Sequence, residues 1–294
     1  MPSGSPAAGA GGLILTLSCP DRPGIVHAVS GFLSEYDCDI VESQQFDDPQ
    51  NGAFFMRVQF TRGSGRANGL DELRSGFGAL ADRFTMTWRL VSATCKQRVL
   101  IMVSRFGHCL NDLLYRASTG TLNIEVAGVA SNHPDLGAMA DGYDVPFWHI
   151  PVTPESKPEA EAELLRLIGE LRIDLVVLAR YMQILSTGLC KQLEGRAINI
   201  HHSMLPSFKG ARPYHQAHDR GVKLVGATAH YVTADLDEGP IIEQQVARVD
   251  HLMTAAEVTA LGQDNECRAL ARAVGWHAAS RVLLNGHRTV VFGR

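Results

Sequence analysis

The chain has no apolar run near the ~20 residues needed to cross a bilayer, and no strong excess of either charge. Its 27 Lys and Arg face 31 Asp and Glu, a formal net charge of −4, with a pI near 6.3. That balance argues against a general nucleic-acid or anionic-membrane surface. The six cysteines, Cys19, Cys38, Cys95, Cys109, Cys190 and Cys267, form no CxxC pair. Their scatter suits reduced thiols in a cytoplasmic protein. Twelve histidines are present, but no HExxH, HxH or paired-Cys spacing. A metal hydrolase would lack its usual ligand pattern, and no metal is expected. His215 and His218 could share a helix face, yet no further ligands accompany them. The opening MPSGSPAAGAGG has neither the basic start nor the hydrophobic segment of a secretory signal and reads as a flexible tail over 1–12. Internal repeats are also missing.

What is present suits one or two buried cores: 294 residues, 45% of them hydrophobic. Residues 13–92 alternate in a clear order. LILTLSC reads as a buried strand, and Pro20-Asp21-Arg22-Pro23-Gly24 as a turn opening a helix. Pro23 fits a first-turn position and Asp21 a cap. Ile25, Val26, Val29, Phe32 and Leu33 follow helical spacing. Strands over 39–46 and 53–60 flank a DDPQNG turn. The second places Phe54, Met56, Val58 and Phe60 on one face. A helix over 69–83 and a strand over 85–91 complete βαββαβ, the ferredoxin-like pattern.

Residues 92–97 read as a linker. From Arg98 onward strands and helices alternate: RVLIMVS, a helix near 110–118, IEVAGVAS, a short helix near 134–141, a Glu-rich helix over 158–171, and DLVVLA. This predicts a mostly parallel, Rossmann-like α/β domain over 98–294. A largely helical stretch over 255–284 and a last strand near 287–292 close it.

The densest chemistry lies between 196 and 244. A β-type run, 197–200, carries Asn199 and His201 to a strand end on one face. Asp237 follows in a polar ADLDEG loop. An amide donor, an imidazole and a carboxylate suit hydrolysis or transfer of a carbonyl group. A fixed Asn199 amide would stabilise a developing oxyanion. His201 is either general acid/base or a donor to that oxyanion. Asp237 either orients the imidazole, raises its pKa or fixes a water.

Asn199-Ile200-His201, Ser203-Met204-Leu205-Pro206, Lys209-Gly210 and Asp235-Leu236-Asp237-Glu238-Gly239 resemble the folate-dependent formyltransferase family. The resemblance makes Asn199, His201 and Asp237 catalytic; Asp235 and Glu238 read as a solvated loop. It places Met182, Gln183, Ile184, Leu185, His202, Gly210 and His230 on the substrate. Tyr181-Met182-Gln183-Ile184-Leu185 resembles the segment that forms an apolar slot for the pterin ring. His202 stands where transferring relatives commonly carry proline, and it either orients the site or packs. The Leu205-Pro206 bond is a candidate cis peptide. Arg212 and His215 either line the path of the substrate tail or lie on the surface.

The turn at Cys19-Pro20-Asp21-Arg22-Pro23-Gly24-Ile25 resembles ACT regulatory domains. That implies an amino-acid effector held by Asp21, Arg22 and Gly24 at a helix N-terminus, and self-association through these domains. Glycine and methionine are the effectors to try first.

The loop Ser104-Arg105-Phe106-Gly107-His108-Cys109-Leu110-Asn111 separates two acceptors. Glycinamide ribonucleotide formyltransferases carry a glycine-rich loop here that cradles phosphate. This chain keeps Gly107 but surrounds it with Phe106, His108 and Cys109, which block close phosphate approach. With the ACT-like segment, which the transferases lack, this implies water as acceptor. The implied reaction is 10-formyltetrahydrofolate plus water giving formate and tetrahydrofolate, supplying formate for purine synthesis and balancing the one-carbon pool. No cofactor is implied, and the alternative is transfer to an acceptor other than water.

Overall fold

The computed structural model describes residues 12–63, 69–205 and 213–293. The chain divides into two compact units. One comprises the residues up to Cys95 together with 279–283 and those from 290 onward; the other comprises 96–278 and 284–289. Among the described residues no helix is long and apolar enough to cross a membrane.

The first unit runs β1 (Leu13–Pro20), α1 (Ile25–Glu35), β2 (Cys38–Asp48), β3 (Ala53–Arg62), α2 (Leu70–Phe84) and β4 (Thr87–Ser92). The strands form one sheet in the order β2-β3-β1-β4. All its pairings are antiparallel, as β-α-β-β-α-β connectivity requires. Alternate residues of β1 and β3, Leu15, Leu17, Met56, Val58 and Phe60, face Val29, Leu33, Leu73 and Phe77. Phe60 and Phe77 are almost fully buried, and each contributes about 2–3 kcal/mol by leaving water.

Two expectations change here. Gly24, not Asp21, is the N-cap of α1: its φ is 95° and no side chain caps the helix. The turn leaving β1 needs a left-handed residue, which glycine adopts without penalty. Asp21 is exposed, and its backbone N–H bonds the carbonyl of Gly52. The second face of β3 is also covered, by Val290 and Phe292 against Phe55. These C-terminal residues group with the first unit, whereas the sequence alone assigns them to the second domain. They leave Arg57 only 1% exposed. Glu42 meets Arg57 at 2.7 Å and Arg281 at 2.9 Å. Burying charge is tolerable only with such partners.

The second unit contains β5 (Gln97–Val103), α3 (His108–Ser118), β6 (Ile124–Ser131), α4 (Gly137–Asp141), β7 (Phe147–His149), α5 (Lys157–Glu170), β8 (Leu175–Leu178), α6 (Thr187–Gln192), β9 (Ala197–His201), α7 (Pro213–Asp219), β10 (Leu224–Tyr231), β11 (Ile241–Arg248) and α8 (Ala255–Ala278). A short hairpin, β12 (Val282–Asn285) and β13 (Arg288–Val291), follows.

Its seven-stranded sheet has the order β11-β10-β9-β8-β5-β6-β7. Strands β5 to β9 pair in parallel, while β10 runs antiparallel to both neighbours. The central strands are apolar throughout, as a sheet covered on both faces demands: all of Leu175–Leu178 is buried. The chain leaves β5 in one direction for β6 and β7, and in the other for β8 and β9. The order therefore reverses beside β5. In open α/β sheets the crevice at the carboxyl ends of such strands receives ligands.

Candidate active site

The carboxyl ends of β5, β8 and β9 open into a cavity of about 680 Å³. Its lining includes Phe106 after β5, Arg180 to Leu185 after β8, Asn199 to His202 at the end of β9, and Val232 to Asp237 after β10. Asn199, His201 and Asp237 thus share one cavity with Met182, Gln183, Ile184, Leu185, His202 and His230. Gly210 lies outside the described residues, as do Pro206, Lys209, Arg212 and the side chain of His215.

Strand alternation turns Asn199 and His201 to one face, with Ile198 and Ile200 buried on the other. Across the antiparallel pairing, His230 stands directly opposite Asn199 and Thr228 opposite His201. Cross-strand partners share a face, so the second histidine joins the same group. Asn199 Nδ2 lies 3.2 Å from His230 Nε2. His230 Nδ1 is 2.9 Å from the carbonyl oxygen of Tyr231 and donates to it. Whichever amide hydrogen of Asn199 turns toward this ring, its second stays free. Thr228 accepts from the N–H of Leu205 and donates to the carbonyl of Ser203, pinning the chain that leaves β9.

Asp237 is brought in by a strained turn. Its φ of 58° is left-handed, a conformation that Asp tolerates better than most residues. Gly239 makes the turn possible, because a Cβ there would overlap the carbonyl oxygen of Tyr231. Asp237 Oδ1 lies 3.3 Å from His201 Nδ1 and 3.7 Å from His230 Nε2. Burial opposes ionisation of Asp237, but the two imidazoles outweigh it and hold the carboxyl well below the usual carboxylate range. The carboxylate therefore fixes the His201 tautomer with the proton on Nδ1. His201 Nε2 is buried and has no partner among the described residues, a placement that costs free energy unless a ligand meets it.

Met182 and Ile184 are 55% and 61% exposed at the cavity rim, and Leu185 is half-buried. Exposed apolar side chains facing a cavity suit a flat apolar ligand. The segment is anchored beneath. Ser104 Oγ accepts from the N–H of Met182 and donates to Asn132 Oδ1, while Glu161 accepts from the N–H of Ser186. Asp235 is exposed at the cavity edge.

His202 is half-buried, its ring 5.0 Å from that of His201 and 6.4 Å from that of Tyr214. Burial, then the Arg180 guanidinium and His201, lower its pKa to about 4. It is neutral near pH 7.

Glu266 on α8 escapes sequence reasoning altogether. It is fully buried, accepts from His108 at 2.8 Å and Tyr214 at 2.6 Å, and meets Arg180 at 3.3 Å. Arg180 has a left-handed φ of 66° and stacks over Phe106 at 5.1 Å. The only foreshadowing is an acidic residue on an otherwise buried helix face. His108, Cys109 and Glu266 could geometrically hold a metal ion. Their donor chemistry fits poorly. Both Glu266 oxygens are engaged, a guanidinium stands beside them, and a hydrogen bond with Cys267, then burial, push the Cys109 thiol well up.

Turning to relatives, the formyl transferase family model matches residues 97–274 and the ACT domain model residues 13–72. The chain is 56% identical over 278 residues to a formyltetrahydrofolate deformylase of Corynebacterium sp. (strain P-1), spanning 95% of this chain and 97% of that protein. It is 45% identical to the Bacillus subtilis (strain 168) deformylase, over 95% and 93% of the two chains. The crystal structure of the Burkholderia mallei deformylase superposes with a TM-score of 0.92 at 49% identity, covering 96% of this chain and all of that one. A glycinamide ribonucleotide transformylase from Symbiobacterium toebii matches only 67% of this chain, at 30% identity and a TM-score of 0.63. Two domain matches in this order and near-complete alignment at such identity place the chain in the formyltetrahydrofolate deformylase family.

Proposed function

We propose that the enzyme hydrolyses 10-formyltetrahydrofolate to formate and tetrahydrofolate at Asn199, His201 and Asp237. The observation that carries this is the unpartnered Nε2 of a buried His201 beside an anchored carboxylate and a fixed amide. Water attacks the formyl carbon, and charge builds on the formyl oxygen. The free Asn199 amide hydrogen stabilises it, an effect of about 3–4 kcal/mol at comparable sites. His201, its ring oriented by Asp237, exchanges protons through Nε2 as the C–N10 bond breaks and N10 leaves protonated. The pterin ring occupies the slot formed by Met182 to Leu185, with His202 and Gly210 on its path and His230 holding Asn199. No metal or organic cofactor enters this scheme.

The domain roles follow the same reading: residues 13–92 regulate and the segment from Arg98 onward catalyses, with 1–12 a tail. Asp21, Arg22 and Gly24 hold a small amino acid, glycine or methionine, at the start of α1, and copies associate through these domains. The setting is cytoplasmic, and the product formate serves purine synthesis.

A formate-release assay on 10-formyltetrahydrofolate, with and without each amino acid, tests both parts. Release by the wild-type enzyme and its loss in His201→Ala, with folate binding kept, is expected. Full turnover in His201→Ala would remove the proposed role of that residue.

A further inference from the structure

The cavity lining also carries a polar group of residues, Arg180, His202, Tyr214 and Glu266. Contacts lead to it from the catalytic histidine: His201 packs on His202, and His202 on Tyr214. Tyr214 bonds Glu266, which also takes His108 and Arg180. Phe106 then lies over the guanidinium. Phe106 and His108 come from the loop that follows β5, and His108 opens α3 with Gly107 at its N-cap.

An amine acceptor needs two things here: room to approach the formyl carbon, and a carboxylate to receive it as an ammonium ion before it attacks. Glu266 is the buried carboxylate available. Its oxygens are taken by a phenol, an imidazole and a guanidinium, so its charge is already compensated. Arg180 already meets this carboxylate, at 3.3 Å. The guanidinium is held there at a conformational cost, with a left-handed backbone and a buried Nε that has no partner among the described residues.

We propose that Arg180, seated on Glu266 and covered by Phe106, excludes amine acceptors from the cavity and so makes water the acceptor. Arg180 is a specificity-determining residue and takes no part in proton transfer. The inference rests on the hydrolytic reading above. The reaction it suppresses balances without any further reagent. The amine nitrogen attacks the formyl carbon, the C–N10 bond breaks, the amine's proton passes to N10, and a formamide and tetrahydrofolate leave.

The test is a partition experiment with glycinamide, a primary amine larger than water. Formate and N-formylglycinamide are measured together as 10-formyltetrahydrofolate is consumed. Arg180→Gly removes the guanidinium while glycine accepts the left-handed backbone. Its amide-to-formate ratio is expected to rise at least about tenfold over wild type. Arg180→Lys, which keeps a cation on Glu266, should return the ratio to the wild-type value. Phe106→Ala uncovers the guanidinium at a half-exposed position, should raise the ratio in the same direction, and decides the matter if Arg180→Gly does not fold. Equal ratios in wild type and variants would overturn the proposal. So would loss of all formate release in both Arg180→Gly and Phe106→Ala, since the cluster would then belong to hydrolysis itself. A wild-type enzyme that releases no formate would instead sink the hydrolytic reading.

Discussion

Asp237 Oδ1 stands 3.3 Å from His201 Nδ1, and the aspartate reaches it only through a left-handed backbone. Position and chemistry are therefore separable by substitution. Asp237→Asn tolerates the same backbone but supplies no charge and permits the wrong imidazole tautomer. It is expected to lower kcat about 10³–10⁴-fold and to lose some stability at neutral pH, because the folded site favours the carboxylate. Asp237→Ala should lose similar activity and a further ~1 kcal/mol or more of stability, because alanine resists a positive φ. Steady-state formate release and urea unfolding of both variants check the pair.

Asn199 and His230 face each other across β9 and β10 at 3.2 Å. If the histidine serves only to aim the amide, removing it after the amide has gone should change little. Asn199→Ala is expected to cost about 10²–10³-fold in kcat. His230→Ala alone should cost less, and the double variant should match Asn199→Ala within a few fold. An additive double variant would show that His230 acts on the reaction independently.

Much of this arrangement was legible in the chain. Alternation along 197–201 puts Asn199 and His201 on one face, and a period of two in 54–60 identifies the core side of β3. Both are local consequences of strand geometry. The His230 pairing was not legible, because it depends on the antiparallel register of β10 against β9. Nor was the cover on the other face of β3, supplied by residues more than two hundred positions away in sequence. Asp21 looked like a cap because its type suits one, yet backbone geometry selected Gly24. Glu266 was hidden for a similar reason. Its partners come from β5–α3, the end of β8 and α7, and no single stretch of sequence announces that they meet.

His202 links pH to stability with a definite sign. Its folded pKa is about 4, below the ~6.5 of an unfolded histidine. Between those values the unfolded chain binds more protons, so stability rises with pH across the window and levels off above it. Below about 4 both states are protonated and the penalty no longer grows. His202→Gln removes this dependence. The wild-type enzyme should lose ~1–3 kcal/mol more than the variant between pH 7 and pH 4.5, read from denaturant midpoints at each pH. Identical pH dependence in the two proteins would mean that the ring is hydrated, not desolvated, in the fold.

Glu42 carries two nearly buried arginines, and that asymmetry makes it a sensitive charge. Arg57 and Arg281 have side chains 2% and 7% exposed, whereas Glu42 is 29% exposed. Burial alone would raise the carboxyl's pKa, but Arg281 and Arg57 bring it below its ordinary value. Its stabilisation is therefore complete above the unfolded pKa of ~4.3 and lost as pH falls through the depressed folded value. Glu42→Gln leaves two guanidiniums facing each other without an anion and should cost about 2–4 kcal/mol. Arg281→Ala should cost less, since Glu42 and Arg57 would remain paired. Replacing Glu42, Arg57 and Arg281 together by apolar residues of similar volume should recover most of the loss, because pairing buried charges mainly offsets their desolvation. Urea unfolding of the three variants, followed by a probe in the first unit, orders them. If Glu42→Gln matched wild type, solvent would have to reach the arginines, and the packing of Phe292 and its neighbours over β3 would be loose.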